Sequence, residues 1–487
     1  MEQQEHNAVQ FSQGDIIELT IESTGFEGKS IAKVDSFVVF VEGAVAGDVV
    51  RAKVFKTKKK FAEAKVVDVV TPSKDRVAAR CTYFGTCGGC KWQHVGYATQ
   101  LQYKQQHVID AVERIGGFKG IPILPIIGSA EEYFYRNKLE FSFSPKAWLT
   151  EKDKAAGVPD APAASPSGHG TSFALGFHVP QRWDKVLHVD ECFLLSELSN
   201  GILNAVRTFA ETNAVPPYDP ETESGFFRNL VIREGKNTGD MMVNVVSFED
   251  SPEVMTALTA SLIKQFPEIT TVINNVTKRK SQVAVGEYEK IYYGTGIIHD
   301  TIGKKLFQIS ANSFFQTNTK QAERLYSIAK EYAELKPSDV VYDLYCGTGS
   351  IGIFISDSVK QVVGIELVES SIENAKKNAA LNGITNCEFL CGDLKELLTK
   401  DVAWKERFGL PDVIIVDPPR SGMHPKAVAE LGAMNVPAIV YVSCNPATLA
   451  RDLQLLAPFG YTVEKIQPVD MFPHTYHIEC VARLVKR

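Results

Sequence analysis

VVYDLYCGTGSIGIF, residues 340–354, carries the strongest fold signal in the chain. An apolar run, Val340 to Leu344, holds an acid near its end and leads into a turn with Gly347 and Gly349, then an apolar helix start. Glycine lets backbone approach a ligand closely, and the free N–H groups of a helix start favour negative charge there. The pattern continues on both sides. A helix is predicted over Lys320 to Tyr332, then strands at Val340–Leu344, Val362–Glu366, Glu388–Cys391, Val413–Val416 and Ile439–Val442, with a helix at Ser370–Leu381. Apolar strands alternating with amphipathic helices across residues 306–487 predict a parallel, doubly wound α/β sheet.

A lone Gly-x-Gly is a weak signal, and two acids strengthen it. Glu366 ends the second strand, where a carboxylate suits ribose hydroxyls, and Asp393 follows the third, where it can accept from an adenine amino group. Gly347, Gly349 and Gly352 also match the dinucleotide expression Gly-x-Gly-x-x-Gly. DLYCGTG with these acids nevertheless resembles the Rossmann-like class I methyltransferases, which implies S-adenosylmethionine rather than NAD. Cys346 reads as a small buried residue of the turn.

Two later motifs carry chemistry. Asp417-Pro418-Pro419-Arg420 ends the fourth strand, and its prolines fix a rigid loop at the carboxyl edge of the sheet, where ligands bind in such folds. Amino-directed methyltransferases commonly place an aromatic residue after the two prolines; Arg420 stands there and argues against an exocyclic amine target. Ser443-Cys444-Asn445-Pro446 follows the next apolar strand. Uracil C5 is a poor nucleophile, but thiolate attack at C6 makes an enolate whose C5 can take a methyl group from a sulfonium. The C5 proton must then leave, which needs a base. MFPHTYHIECVARL offers Glu479 in an apolar hairpin, where desolvation raises a carboxylate pKa. His474 and His477 nearby read as structural or RNA-contacting residues.

At these residues the chain resembles the RNA uracil-5-methyltransferase family, most closely its iron–sulfur members that modify 23S ribosomal RNA. The resemblance spans essentially everything but residues 144–171. It implies Cys444 as nucleophile and Glu479 as base. It also implies that Gln316, in SANSFFQTN, contacts S-adenosylmethionine, with Tyr345, Gly347, Gly349, Glu366 and Asp393 at cofactor positions and Asp417, the acid of the active-site loop, counted among the cofactor-binding residues. Ser350 replaces an Asn or Thr often found at that cofactor position. The N-terminal unit resembles the RNA-binding TRAM domain.

Cys81, Cys87 and Cys90 form C-x5-C-x2-C, and Cys192 is the remaining cysteine before the methyltransferase region. Four thiolates suit either a [4Fe–4S] cluster or zinc, and spacing does not separate them. The resemblance favours the cluster, ordering an RNA-binding surface rather than transferring electrons. Cys346, Cys387, Cys391 and Cys480 are most simply structural.

The organisation follows from composition. At roughly 150 residues per domain, 487 residues predict three domains. Residues 10–71 read as a small β-barrel of four or five strands, 72–305 as a mixed α+β unit carrying the cysteines, and 306–487 as the methyltransferase unit. Residues 97–115 read as a helix with Leu101, Val108, Val112 and Ile115 on one face, able to pack on the catalytic unit. LVIREGKNTGDMMVNVV reads as a hairpin, and 144–171, rich in Ala, Pro, Ser and Gly, as a flexible insertion. Net charge is −6, yet residues 51–80 hold 10 basic and 3 acidic residues. Arg51 to Lys60, six basic residues with no acid, is either a solvated hairpin or a phosphate-contacting edge.

No apolar run is long enough to span a membrane, and the N-terminal MEQQEHNAVQFSQGD lacks export features, so a cytoplasmic protein is expected. No obligate protein partner is evident. The leading expectation is methylation of a uridine in 23S rRNA. The alternatives are the same chemistry on tRNA, disfavoured because the simpler tRNA enzymes of the family lack the barrel and cysteine cluster, and an inactive, redox-responsive RNA-binding protein, disfavoured by the intact motifs.

Overall fold

A computed structural model describes residues 11–155, 173–180, 182–280, 283–399 and 403–487. The reading of the first ten residues as free of an export signal and most of the 144–171 insertion lie outside the described residues. Three sheets and a two-stranded ribbon organise the described residues.

The catalytic sheet contains β1 (Val340–Leu344), β2 (Gln361–Glu366), β3 (Cys387–Cys391), β4 (Val413–Val416), β5 (Ala438–Ser443), β6 (Tyr461–Val469) and β7 (Glu479–Lys486). Their spatial order is 3-2-1-4-5-7-6. β1 to β5 are parallel and β7 runs antiparallel between β5 and β6. β4 and β5 are buried along their whole length because helices cover both faces. One face packs Val341, Val440 and Val481 against helix Thr319–Ala333. The other packs Leu344, Ile414 and Val416 against helices Pro425–Ala433 and Pro446–Leu456. The chain moves outward from β1 through β2 to β3, then returns to the far side of β1 as β4. This reversal opens a crevice at the carboxyl ends of β1 and β4.

Residues 97–128 lie against this sheet despite their distance in sequence. Ile123 bridges Ile466 and Ile127 bridges Val469, extending the β6 edge. Helix Tyr97–Asp110 runs into a wider turn, Ala111–Ile115, closed by Gly116 N–H to Ala111 O. Val108 and Val112 are buried in the catalytic core as the helical spacing predicts, but Ile115 is 47% exposed. The wider turn breaks the 3.6-residue phase on which its placement depended.

The N-terminal sheet has six strands rather than four or five, in the order Ile16–Thr20, Val49–Thr57, Phe61–Thr71, Phe37–Glu42, Ser30–Val34, Ser23–Thr24. The last two flank the segment Gly25 to Lys29. Glu22 N–H donates to Ile31 O (2.9 Å), curling the sheet around Leu19, Ala32, Val39, Val50 and Ala62. Buried Asp48 ties this unit to the segment before Cys81. It accepts from Arg76 and from the Ser73 and Val45 N–H groups; burial alone would raise its carboxyl, but these partners hold it below the usual range.

The central sheet has eight strands. Phe227–Glu234 and Met241–Ser247 form the expected hairpin, with Glu234 opposite Met241. Helices Glu197–Thr212 and Pro252–Gln265 cover its apolar face, which includes Phe141, Leu230 and Val243. The opposite face carries Lys138, Glu140 and Arg233, because Arg233 pairs with Lys138 and Val231 with Glu140. The start of the predicted insertion belongs to this sheet: Ala147–Trp148 pairs with Val186–Leu187, and Glu151–Ala155 is a short helix. Its low-complexity composition does not show that an aromatic residue, Trp148, anchors it.

Candidate active site and cysteine cavity

The glycine turn follows β1 directly. Tyr345 (φ 64°), Gly347 (φ 54°) and Gly349 (φ 75°) all lie in the left-handed region. A Cβ on Gly347 would meet nothing within 4 Å, whereas one on Gly349 would come within 2.8 Å of the Phe389 ring. Gly347 thus borders open space, and Gly349 is needed for packing. Gly352 N–H donates to Asp343 Oδ2 (2.9 Å), and a Cβ there would lie 3.0 Å from that oxygen. The third glycine therefore serves close helix–strand packing around a carboxylate. Asp343 is fully buried, its Oδ1 lacks a partner, and desolvation pushes its carboxyl up to about 7.

Glu366, at the end of β2, accepts from Gly347 N–H (3.1 Å) and Val368 N–H (3.0 Å), which fixes it beside the turn. Thr348 Oγ1 reaches Phe314 O (3.5 Å), joining the turn to the loop that holds Gln316. Asn137 Nδ2 donates to Gln316 O (2.7 Å), so the central unit holds that loop from behind. Ser350 Oγ lies 2.8 Å from Tyr326 OH, an internal contact. Asp393 is exposed after β3 and accepts from Lys395 N–H (2.9 Å). Burial pushes the Tyr345 hydroxyl up to about 12. These hydrogen bonds bring Glu366 and residues 314–316 up to the glycine turn.

Strand register places Cys444, Glu479 and Asp417 at the same end of the sheet. Ser443 lies opposite Cys480 in the antiparallel β5–β7 pair, so the adjoining Cys444 and Glu479 come near each other, and the Glu479 carboxyl bears on the Cys444 thiol. Asp417 follows β4 and donates its N–H to Leu344 O (3.2 Å). The Cys444 thiol and the Glu479 and Asp417 carboxyls therefore lie near enough to shift one another's ionisation. Burial and then the nearby Glu479 and Asp417 push the Cys444 thiol up to about 12, while Arg420 opposes them. Glu479 is buried, and desolvation with help from Asp417 raises it well above the usual carboxylate range. Asp417 keeps part of its surface open to the crevice, yet the protein around it desolvates it and pushes it up to about 7. Perturbed carboxyls and a thiol converging in a crevice are what acid–base and nucleophilic chemistry require.

His474 is buried, has a left-handed backbone (φ 66°) and stacks on Tyr133 with ring centroids 4.3 Å apart. Its carbonyl accepts from Lys91 and Trp92 N–H. Desolvation holds its imidazole down to about 4, which fits a structural role. Motif reading noted Arg420 only as the residue after the two prolines, not as a neighbour of Cys444, and it missed the buried Lys104. Arg420 stands visibly in the DPPR motif, but its proximity to Cys444 depends on the fold; Lys104 leaves no signal in a helix read by its apolar face.

Cys81, Cys87, Cys90 and Cys192 line one cavity of about 410 Å³ together with Arg136, Glu140 and Phe193. All four thiols are free, and burial raises each, Cys90 to about 11 and Cys192 to about 12. Among the described residues no three His, Cys, Asp or Glu side chains draw close enough to hold one metal ion. Of the other cysteines, Cys346 and Cys480 are buried, Cys387 is half-buried and Cys391 is exposed.

Residues 287–487 match the family described as tRNA (Uracil-5-)-methyltransferase, and residues 10–67 match the TRAM domain. An uncharacterized RNA methyltransferase of Chlorobaculum tepidum is 43% identical over 485 residues, covering 99% of this chain and 98% of the other. One of Bacteroides thetaiotaomicron is 42% identical over 464 residues, covering 95% and 99%. Among solved structures, the Pyrococcus abyssi tRNA (uracil-54, C5)-methyltransferase in complex with S-adenosyl-L-homocysteine superposes with a TM-score of 0.72. It is 27% identical and covers 96% of this chain and 100% of that one. Among the described residues no helix is long and apolar enough to cross a membrane.

Proposed function

Because the chain belongs to the RNA uracil-5-methyltransferase family, we propose that it methylates C5 of a uridine in 23S ribosomal RNA through a covalent bond between Cys444 and uracil C6. The observation that carries this reading is the β5–β7 register, with Ser443 opposite Cys480, which brings the adjoining Cys444 and Glu479 close enough to act on each other. S-adenosylmethionine, when bound at the glycine turn, supplies an electrophilic methyl group. Gly347 leaves room for it and Glu366 lies where its ribose hydroxyls would be met. Gln316, Tyr345, Gly349, Ser350 and Asp393 complete the proposed cofactor residues. Cys444 sulfur bonds to C6, which makes C5 nucleophilic; after methylation Glu479 takes the C5 proton. Asp417, assigned from sequence to the cofactor, shares the reacting end with both. The target uridine must leave its stack to reach this crevice.

A tRNA target is the second reading, and the Pyrococcus abyssi structure favours it. That protein is named for tRNA, yet its structure is matched across 96% of this chain. Length and domain content therefore do not by themselves exclude tRNA. The test offers labelled S-adenosylmethionine with 23S rRNA and tRNA transcripts, then maps 5-methyluridine. Label in 23S rRNA that vanishes with Cys444→Ala is expected. Label in tRNA alone would move the function to the second reading, and full methylation by Cys444→Ala would overturn the covalent route.

Cys81, Cys87, Cys90 and Cys192 would hold a [4Fe–4S] cluster. Tetrahedral zinc needs sulfurs only about 3.8 Å apart, whereas a cluster spreads its ligands around a larger body. Four thiols lining one cavity of about 410 Å³ leave room for such a body. It would cross-link the Cys81–Cys90 segment to Cys192. Protein purified without oxygen should contain iron and acid-labile sulfide, reduced in Cys192→Ser; stoichiometric zinc without iron would overturn this assignment.

A further inference from the structure

Residues 470–478 connect β6 to Glu479, so the position of that carboxylate depends on how firmly this loop is held. Helix Tyr97–Asp110 grips it at two points. Lys104 Nζ donates to Asp470 Oδ1 (2.6 Å), with both side chains wholly buried, and to Phe472 O (3.0 Å). Gln100, also wholly buried, spans His474: its Oε1 accepts from the His474 N–H (2.8 Å), and its Nε2 lies 3.2 Å from Nδ1. His474 holds a left-handed backbone that a non-glycine residue keeps only where its surroundings over-determine it. A buried Lys–Asp pair is a poor source of stability, because desolvation offsets its attraction, but it fixes geometry. Two apolar residues would anchor a merely structural loop as well.

We propose that Lys104 and Gln100 are positioning residues, which hold the loop so that Glu479 faces Cys444 and the C5 hydrogen of the substrate adduct. The inference rests on Glu479 being the base. In the step it governs, the C5 proton passes to the Glu479 carboxylate, the C5–H electron pair forms the C5=C6 bond, and the C6–S bond breaks to return Cys444 as thiolate. A misplaced base slows this step and leaves the earlier bond formation intact, so the covalent intermediate accumulates.

The experiment uses full-length Gln100→Leu and the double variant Lys104→Met/Asp470→Met, which removes both buried charges together. Each is compared with wild type and Glu479→Gln by circular dichroism, steady-state kinetics and denaturing gels of protein–RNA adduct. Misplacement by about 1 Å can cost about 10²-fold in rate. The expected result is folded variants with KM near wild type, kcat lowered by about 10- to 10²-fold and a retarded adduct band. Should Glu479→Gln accumulate adduct while neither positioning variant does, the positioning role is overturned and the base stands. Should Glu479→Gln itself form no adduct, the base assignment fails, and the positioning role with it.

Discussion

In the proposed mechanism Cys444 acts as a thiolate, yet its surroundings oppose that charge, and this conflict can be measured. Burial and the neighbouring acids push its thiol up from 9.0 to about 12. At pH 7 this leaves about 10³-fold less thiolate than an unperturbed thiol would give. A more basic thiolate is more nucleophilic, and a Brønsted slope of about 0.4–0.5 over this shift returns about 20-fold. Alkylation of Cys444 by iodoacetamide should therefore run about 50-fold slower at pH 7 than that of an unstructured cysteine peptide. The rate should keep rising with pH through 10, because the thiol has not finished titrating. Asp417, near 7, becomes charged across neutrality and adds to the opposition, so Asp417→Asn should accelerate alkylation above pH 7 and have little effect at pH 5. The cationic S-adenosylmethionine should accelerate it too, where neutral S-adenosylhomocysteine does not. Mass spectrometry of the Cys444 peptide gives the rates without interference from exposed Cys391. A plateau near pH 8–9, or an Asp417→Asn profile identical to wild type, would refute the argument that buried acids govern this thiol.

The two glycines of the turn should separate binding from folding. Gly347→Ala faces open space and should fold with a small loss of stability, about 1–2 kcal/mol from the left-handed backbone, while weakening S-adenosylmethionine binding in calorimetry. Gly349→Ala drives a methyl group against the Phe389 ring and Ala375 and should chiefly lower the melting temperature; equal effects from both would refute the distinction. On the basic hairpin, Arg51 pairs with Asp68 and Lys56 with Glu63, which leaves the exposed Lys53, Lys58, Lys59 and Lys60 as the candidates for phosphate contact. Replacing these four with alanine should lower the slope of log affinity against log salt by about 3 for single-stranded RNA. An unchanged slope would return the hairpin to a solvated surface.

Local signals made the catalytic fold legible in the sequence. The alternation of strand and helix from Lys320 to Val442 matches the observed elements to within a residue or two, because periods of two and 3.6 reflect burial on faces that neighbours cover. The barrel was under-read because Gly25 and Gly28 punctuate a segment that still pairs at Ser23–Thr24. The start of the insertion was misjudged because composition cannot show that Trp148 finds a partner strand. Motif residues were visible, but their grouping was not. Asp417 read as a cofactor residue, and only the order of strands sets it beside Cys444 and Glu479.

The sequence by itself determined the parallel sheet, the glycine turn and the presence of Cys444 after an apolar strand, of Glu479 and of a four-cysteine set. Those depend on spacing within single elements. Tertiary structure alone decided that β7 inserts between β5 and β6, which brings two distant motifs near each other. It also decided that helix Tyr97–Asp110 leaves its neighbours in sequence to bury Lys104 against Asp470. Both results come from pairing between remote segments, and no local period in either segment encodes its partner.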